Sequence, residues 1–171
     1  MNRDLNICSR GYTLIEVLVV VTIIGIAGSI VVPHMVRGGE MQIQAAGRMV
    51  ISDLLMTQNE AIARQAVRRM TFDTTANQYA ITDSADAVVA APWKGGGDYI
   101  VNFSTDGRFN GVRITAVNFN DTTTVSFDDL GAPSSGGTID LVSGDTTYRI
   151  TVASFTGRVT IAEVGAEAEE E

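Results

Sequence analysis

"RGYTLIEVLVVVTIIGIAGSIVVPHM" occupies residues 10–35, and its reading decides the architecture of the chain. From Tyr12 to Val32, roughly 21 residues, Glu16 is the only charged side chain, and no Lys or Arg follows it until Arg37. At about 1.5 Å per residue the run amounts to roughly 30 Å of helix, enough for one bilayer crossing. Val and Ile dominate it, which is no obstacle in lipid, where the backbone can satisfy its polar groups only within itself. A membrane-crossing helix is therefore expected over residues 12–33. Arg3 and Arg10 precede the run, so the positive-inside rule leaves residues 1–11 in the cytoplasm and carries the remainder across.

Two readings compete for this segment. One is a secretory signal peptide, basic then apolar, cut after Ala27-Gly28-Ser29 so that the mature, soluble β-protein begins near Ile30. Against it stands Glu16, because a charge inside an apolar run costs about 2.5–3.5 kcal/mol on insertion scales and is normally functional. A signal peptide gains nothing from it. Cys8, the single cysteine, is no lipidation site: "LNIC" lacks the small residues expected before a lipidated cysteine, and the apolar run follows it.

Outward from this stretch the character changes twice. Pro33 and then Gly38-Gly39 loosen the helix, since proline removes one backbone hydrogen bond and kinks a helix interior. His34, the only histidine, reads as an interfacial residue. Over residues 40–65 the pattern becomes amphipathic, with Met49, Val50, Leu54, Leu55, Ile62 and Ala66 at helical spacings and Arg48, Asp53, Glu60 and Arg64 among them. Beyond it, short alternating runs at 67–73, 78–83, 98–103, 112–119, 122–127, 138–142, 146–153 and 157–162 read as strands between Gly, Asn, Asp and Ser clusters. Residues 84–98 and 128–137 are the expected long loops. The expectation is α+β: a long N-terminal helix, transmembrane then amphipathic, packed on an antiparallel β-rich head at 67–162. An acidic, small-residue tail at 163–171 has nothing to bury and is expected to be disordered.

Charge and composition exclude several functions. Twelve Lys and Arg against 20 Asp and Glu give a net charge of −8, which repels phosphate backbones and disfavours nucleic acid as a partner. No P-loop, GxSxG, HExxH or CxxC is present, and one histidine rules out most catalytic triads. Asp128, Asp129 and Asp140 border a Gly-rich loop and could offer oxygens to calcium, but their spacing matches no EF-hand, so a solvated loop is expected. Trp93, beside Pro92 and Lys94, reads either as a loop anchor or as an exposed contact. No enzyme, metal or cofactor is expected.

Gly11-Tyr12-Thr13-Leu14-Ile15-Glu16, followed by an apolar helix, resembles the processing motif of type IV prepilins and pseudopilins, with Tyr where Phe is commoner. The resemblance implies that a membrane-embedded prepilin peptidase cuts between Gly11 and Tyr12 and methylates the new amino group of Tyr12. Glycine before the cut suits an extended, unhindered chain. It further implies that Glu16, one turn beyond Tyr12, is an assembly residue that pairs with the corresponding amine of a neighbouring subunit. A pair with its own amine is the local alternative.

"ISDLLMTQNEAIARQAVRRMTF" and "VSFDDLGAPSSGGTIDLVSGDTTYRITVASFTGRVTI" are similar to the GspH/FimT-type pseudopilin family, with Phe127, Gly131 and Gly157-Arg158-Val159 among the matching positions. Family members often carry a proline at the place of Pro33. The resemblance implies a bacterial inner-membrane protein with its head in the periplasm, a minor pseudopilin of the type II secretion pseudopilus. Its partners would be other pseudopilins, the peptidase, membrane lipid and secreted exoproteins, with energy supplied by a separate cytoplasmic ATPase. Minor pilins of type IV pili, in pilus biogenesis or DNA uptake, are the other destination. The lack of cysteine beyond Cys8 favours a pseudopilin over a major pilin, and the acidic C-terminus disfavours DNA uptake.

Overall fold

Among the described residues, the periodicity of two along the second half of the chain is realised as ten strands, and the periodicity of 3.6 before it as two α-helices. The computed structural model describes residues 12–36, 38–91 and 95–165, with side chains described except at 28–38. The leader with Cys8 and Gly11, the side chain of His34, Trp93, and residues 166–171 lie outside that set. Helix α1 spans Leu14–Val36 and α2 spans Gly38–Arg64. The chain divides into two units, 1–38 and 39–171.

The second unit contains α2 and all strands. Strands β1 (Arg68–Asp73), β2 (Gln78–Thr82), β5 (Ile100–Asn102) and β7 (Thr124–Phe127) form an antiparallel sheet in the order β5-β2-β1-β7. Strands β6 (Arg113–Asn118), β8 (Gly137–Ser143), β9 (Thr146–Val152) and β10 (Val159–Val164) form a second, ordered β10-β9-β8-β6. A short pair, β3 (Ala90–Ala91) and β4 (Gly97–Asp98), lies within the expected loop 84–98. Glu163 and Val164, expected in the tail, instead pair with Tyr148 and Thr147 at the end of β10. Every residue from Thr160 to Val164 is exposed, so no alternation of apolar and polar residues marks this end of the strand in the sequence.

Helix α2 supplies the spine of the core. Glu40 in its first turn and Arg64 in its last complement the helix dipole, and Glu60 pairs with Arg64 one turn on. It stops where Gln65 turns left-handed (φ +48°) and the amides of Gln65 and Ala66 reach back to Ile62 and Ala61, a Schellman stop without glycine. The buried stripe is Ile43, Ala46, Val50, Leu54 and Ala61, joined by Asp53 and Thr57. The expected stripe is therefore rotated: Leu55 and Ile62 are 42% and 45% exposed, while Asp53, one of the charged residues set among the apolar positions, faces in. On the same buried face, Gly47 lets β10 come close, where a Cβ would meet the end of the Ile161 side chain at 2.6 Å. Met70, Phe72, Tyr79, Phe103, Phe119 and Phe127 complete the interior, with Phe72 and Tyr79 ring centres 5.7 Å apart.

The two sheets are tied by a side chain as well as by the core. Asn77, left-handed at the β1–β2 turn (φ +54°), donates from Nδ2 to the Val112 carbonyl and accepts at Oδ1 from the Ile114 amide, both at 2.9 Å. Neither Asn77 nor Gln65 is a glycine, and in each case the partner contacts hold the conformation.

Candidate functional site

The residues singled out at the N-terminus fall on and beside the first turn of α1. Thr13 is the residue before the helix, and the Glu16 amide donates both to its carbonyl (3.1 Å) and to its Oγ1 (3.2 Å). Thr-Leu-Ile-Glu thus starts the helix as an N-cap with an acid at the third position, the sequence spacing of a capping box of which only the threonine half is made. The cap explains why Thr and Glu belong together, and the Thr-x-x-Glu spacing that signals it is overshadowed in the sequence by the apolar run. Glu16 sits where the helix dipole favours negative charge, and its carboxylate is exposed with no hydrogen-bond partner among the described residues.

Tyr12 precedes the cap and is 82% exposed. Gly11 lies outside the described residues. Pro33 is within the helical stretch Leu14–Val36, near its end.

The apolar side chains of α1 are exposed all round the helix, from 47% at Val19 to 84% at Leu14. An all-round apolar helix is stable only where something covers it, in lipid or in a bundle. Among the described residues no helix is long and apolar enough to cross a membrane.

The remaining candidates are occupied by structural work. Asp128 accepts from the Leu130 and Ala132 amides at 3.0 and 2.7 Å and closes its own loop, while Asp140 pairs across strands with Arg149 through two 2.7 Å bonds. They do not converge, and among the described residues no group of three acidic, histidine or cysteine side chains could hold a metal. Gly131 and Gly157 do come together, through a residue not foreseen. Both are left-handed (φ +82° and +65°), and a Cβ on either would press on Gln58 or Ile62 of α2. The Gln58 Nε2 donates to the Gly131 carbonyl at 2.8 Å, so two loops close on one side chain of the helix.

Also unforeseen is a polar centre in the head. The Asp53 carboxylate accepts from the hydroxyls of Tyr79 and Tyr99, at 2.6 Å each, and all three residues are buried. Burial first, then the charge of Asp53, pushes the Tyr79 hydroxyl well above its usual pKa; burial, then the hydrogen bond to Asp53, does the same for Tyr99. Such hydroxyls are poor acids, and the arrangement works as a fastener between α2 and the first sheet.

Residues 7–32 match the family model described as the prokaryotic N-terminal methylation motif, and residues 46–157 match that of type II transport protein GspH. Over 151 residues the chain is 29% identical to the type II secretion system protein H of Xanthomonas campestris pv. campestris, covering 88% of this chain and 81% of that one. Among solved structures, the minor pseudopilin EpsH from the type 2 secretion system of Vibrio cholerae superposes with a TM-score of 0.51 at 12% identity, over 72% of this chain and 98% of that one. The type IV minor pilin FimU of Pseudomonas aeruginosa gives 0.50 at 11% identity, over 70% and 87%. At such identities the superpositions establish a common pilin-like α+β fold.

Proposed function

We propose that this chain, which belongs to the type II transport protein GspH family, is a minor pseudopilin of a type II secretion pseudopilus. The fold is shared with a type IV minor pilin, so fold alone does not choose between secretion and pilus; the family match and the curated relative favour secretion. The protein is a structural part with no catalytic role. Cleavage between Gly11 and Tyr12 and methylation of Tyr12 free the N-terminus, and the helix from Tyr12 to Pro33 holds the chain in the inner membrane with the head in the periplasm. Pro33 loosens the helix at the membrane boundary. Other pseudopilins and the processing peptidase are direct partners, and exoproteins are the cargo moved by the assembled filament.

One observation carries this reading: an all-round apolar helix, exposed along residues 14–27, whose only charge is a first-turn carboxylate with no partner among the described residues. In a bundle of such helices the surrounding dielectric is low, so pairing of Glu16 with the Tyr12 amine of a neighbour gains strength and fixes axial register. The test compares wild type and Glu16→Val, extracted from membranes of cells that hold the peptidase and the other pseudopilins. Wild type should begin at Tyr12 with one added methyl and co-purify with its fellow subunits. Glu16→Val should remain in the membrane and lose that co-purification. A mature start near Ile30, or undiminished co-purification of the variant, overturns the reading.

A further inference from the structure

The two four-stranded sheets end in β5, β7, β6 and β10, and the chain closes the first three of these edges itself. On β7 the outward Ser126 carbonyl accepts the Ser134 amide at 2.7 Å, and Pro133 is bridged to Phe127. On β5 the Asn102 carbonyl accepts the Asp106 amide at 3.1 Å. On β6 a bulge follows Ile114, whose amide donates to Asn77. Closures of this kind keep a sheet edge from pairing with another chain.

β10 is different. The Ala153 amide donates to the Arg158 carbonyl, and the pairing runs on from there as Thr151 with Thr160 and Arg149 with Ala162. Hydrogen-bonded and open pairs alternate in an antiparallel ladder, so Thr160, Ala162 and Val164 turn their backbone groups to β9. Val159, Ile161 and Glu163 turn theirs outward, where they have no partner among the described residues. No Pro, Lys or bulge interrupts the strand.

A flank of α2 lies beside this edge. Gly47 abuts Ile161 and Gln58 abuts Gly157, so the helix follows β10, and the partly buried Ile51 and exposed Leu55 lie between those contacts on the same side. The other end of the groove is acidic. Gln44 reaches Tyr148, the residue paired with Glu163, and Glu40 stands one turn before Gln44. Glu40 and Glu163 are exposed and in no ion pair among the described residues, and four more glutamates follow in residues 167–171.

The open backbone defines the occupant as an extended strand, because donors and acceptors that recur about 6.6–6.8 Å apart along an edge are matched by another strand. Apolar side chains at its alternate positions would cover Ile161, Ile51 and Leu55. Charge narrows it further. A second copy would bring its own Glu163 and acidic tail to an edge that already carries both, whereas a Lys or Arg opposite Glu163 answers it.

We propose that the free edge of β10 is a strand-addition site for an extended segment of another protein, with apolar side chains at alternate positions and a basic residue opposite Glu163. The site stands apart from the filament reading, which is tested at Glu16, so either can fail without the other.

The experiment uses the full chain in detergent micelles, labelled with ¹⁵N, and follows hydrogen exchange of its backbone amides with and without acetyl-Lys-Thr-Val-Thr-Val-amide. Antiparallel addition places the lysine opposite Glu163 and the two valines opposite Ile161 and Val159. In the free chain the amides of Val159, Ile161 and Glu163 should exchange fast, and those of Thr160, Ala162 and Val164 slowly. Saturating peptide should slow the first three by about tenfold or more. N-methylation of the central valine, whose amide faces β10, should abolish the effect, and N-methylation of the first threonine, whose amide faces away, should not. With Glu in place of Lys the peptide should bind about fivefold more weakly, and Glu163→Lys should reverse that preference. No slowing by the lysine peptide overturns the proposal, as does equal tolerance of the two N-methyl groups or indifference to the charge. Slow exchange at the three outward amides that grows with protein concentration alone would assign the edge to a second copy and equally overturn it.

Discussion

Glu16 and Asp53 are both carboxylates on helices, each set among apolar neighbours, and the chain treats them in opposite ways. Asp53 is buried and receives two tyrosine hydroxyls, from Tyr79 on β2 and Tyr99 just before β5. Glu16 is exposed and has no partner among the described residues; its surroundings hold only a threonine cap and apolar side chains. Helix α2 likewise has its apolar stripe covered by strands, while the apolar side chains of α1 at residues 14–27 are exposed. The difference teaches where to look for partners. A chain that answers one buried acid with two hydroxyls from distant strands, yet leaves another acid on an apolar helix without a partner among its described residues, fits the proposed function, in which Glu16 is answered by a neighbouring subunit.

The largest effect that can break the comparison is at Asp53. Replacing it by Ala removes the acceptor of two buried hydroxyls at once, and the loss should be roughly 3–5 kcal/mol of head stability. Asp53→Asn keeps an acceptor oxygen and should lose less. Denaturant unfolding of the full chain in micelles, read through the near-ultraviolet signals of the tyrosines, measures both. Glu16→Ala in the same assay should leave head unfolding unchanged, because Glu16 lies in the other unit. If the two alanine variants weaken the head equally, the contrast between an internally and an externally answered acid is wrong.

A second, graded effect comes from pH. The Tyr79 and Tyr99 hydroxyls have raised pKa values in the folded chain, while in the unfolded chain they ionise near pH 10. Below pH 10 both states hold these protons and the contribution to stability is complete. Above pH 10 the unfolded state releases them and the folded state does not, so stability falls as pH rises toward the folded values. The slope is up to about 1.4 kcal/mol per pH unit for each hydroxyl, roughly 2.7 for the two. Tyr99→Phe should reduce that slope by about half, seen as the midpoint of urea unfolding between pH 9.5 and 11.5. A flat midpoint across this range in the wild type would mean that the hydroxyls are not held by Asp53.

Much of this was legible in the chain, and the misses have physical causes. Alternation located the strands of both four-stranded sheets because each buries one face, as β8 does with Ile139, Leu141 and Ser143. The processing stretch was legible because one charge in an apolar run is a local signal. The burial of Asp53 was not foreseen because a carboxylate on an amphipathic helix ordinarily faces water, and its partners are Tyr79 and Tyr99, whose approach the sequence does not reveal. A signal existed: Asp53 sits between Val50 and Thr57 on the same turn-to-turn row, where an outward acid would not fit. Arg68 was indistinguishable from Arg69 in "VRRM", since only the structure shows Arg69 paired with Asp86 and Arg68 turned to the Val67 carbonyl.

The smallest predicted effect sharpens the contrast between a covered and an exposed helix at a single side chain. Gln58 is roofed by two loops that approach only because Gly131 and Gly157 lack side chains, and each is left-handed as well. Gly157→Ala would bring a Cβ to 2.7 Å from the Gln58 amide nitrogen and force an L residue into φ +65°, at a cost of about 1–3 kcal/mol. Part of that cost is steric and part is backbone. Combining it with Gln58→Ala should return the steric part and leave the backbone part, about 1 kcal/mol, in a double-mutant cycle read by thermal unfolding. The same cycle with Gly25→Ala on α1 should give no coupling to any head residue, because nothing lies within 4 Å of a Cβ built there. Helix propensity alone would make Gly25→Ala mildly stabilising. A destabilising Gly25→Ala would require a neighbour against α1 that this chain does not provide, and in the assembled filament that is where such a neighbour is expected.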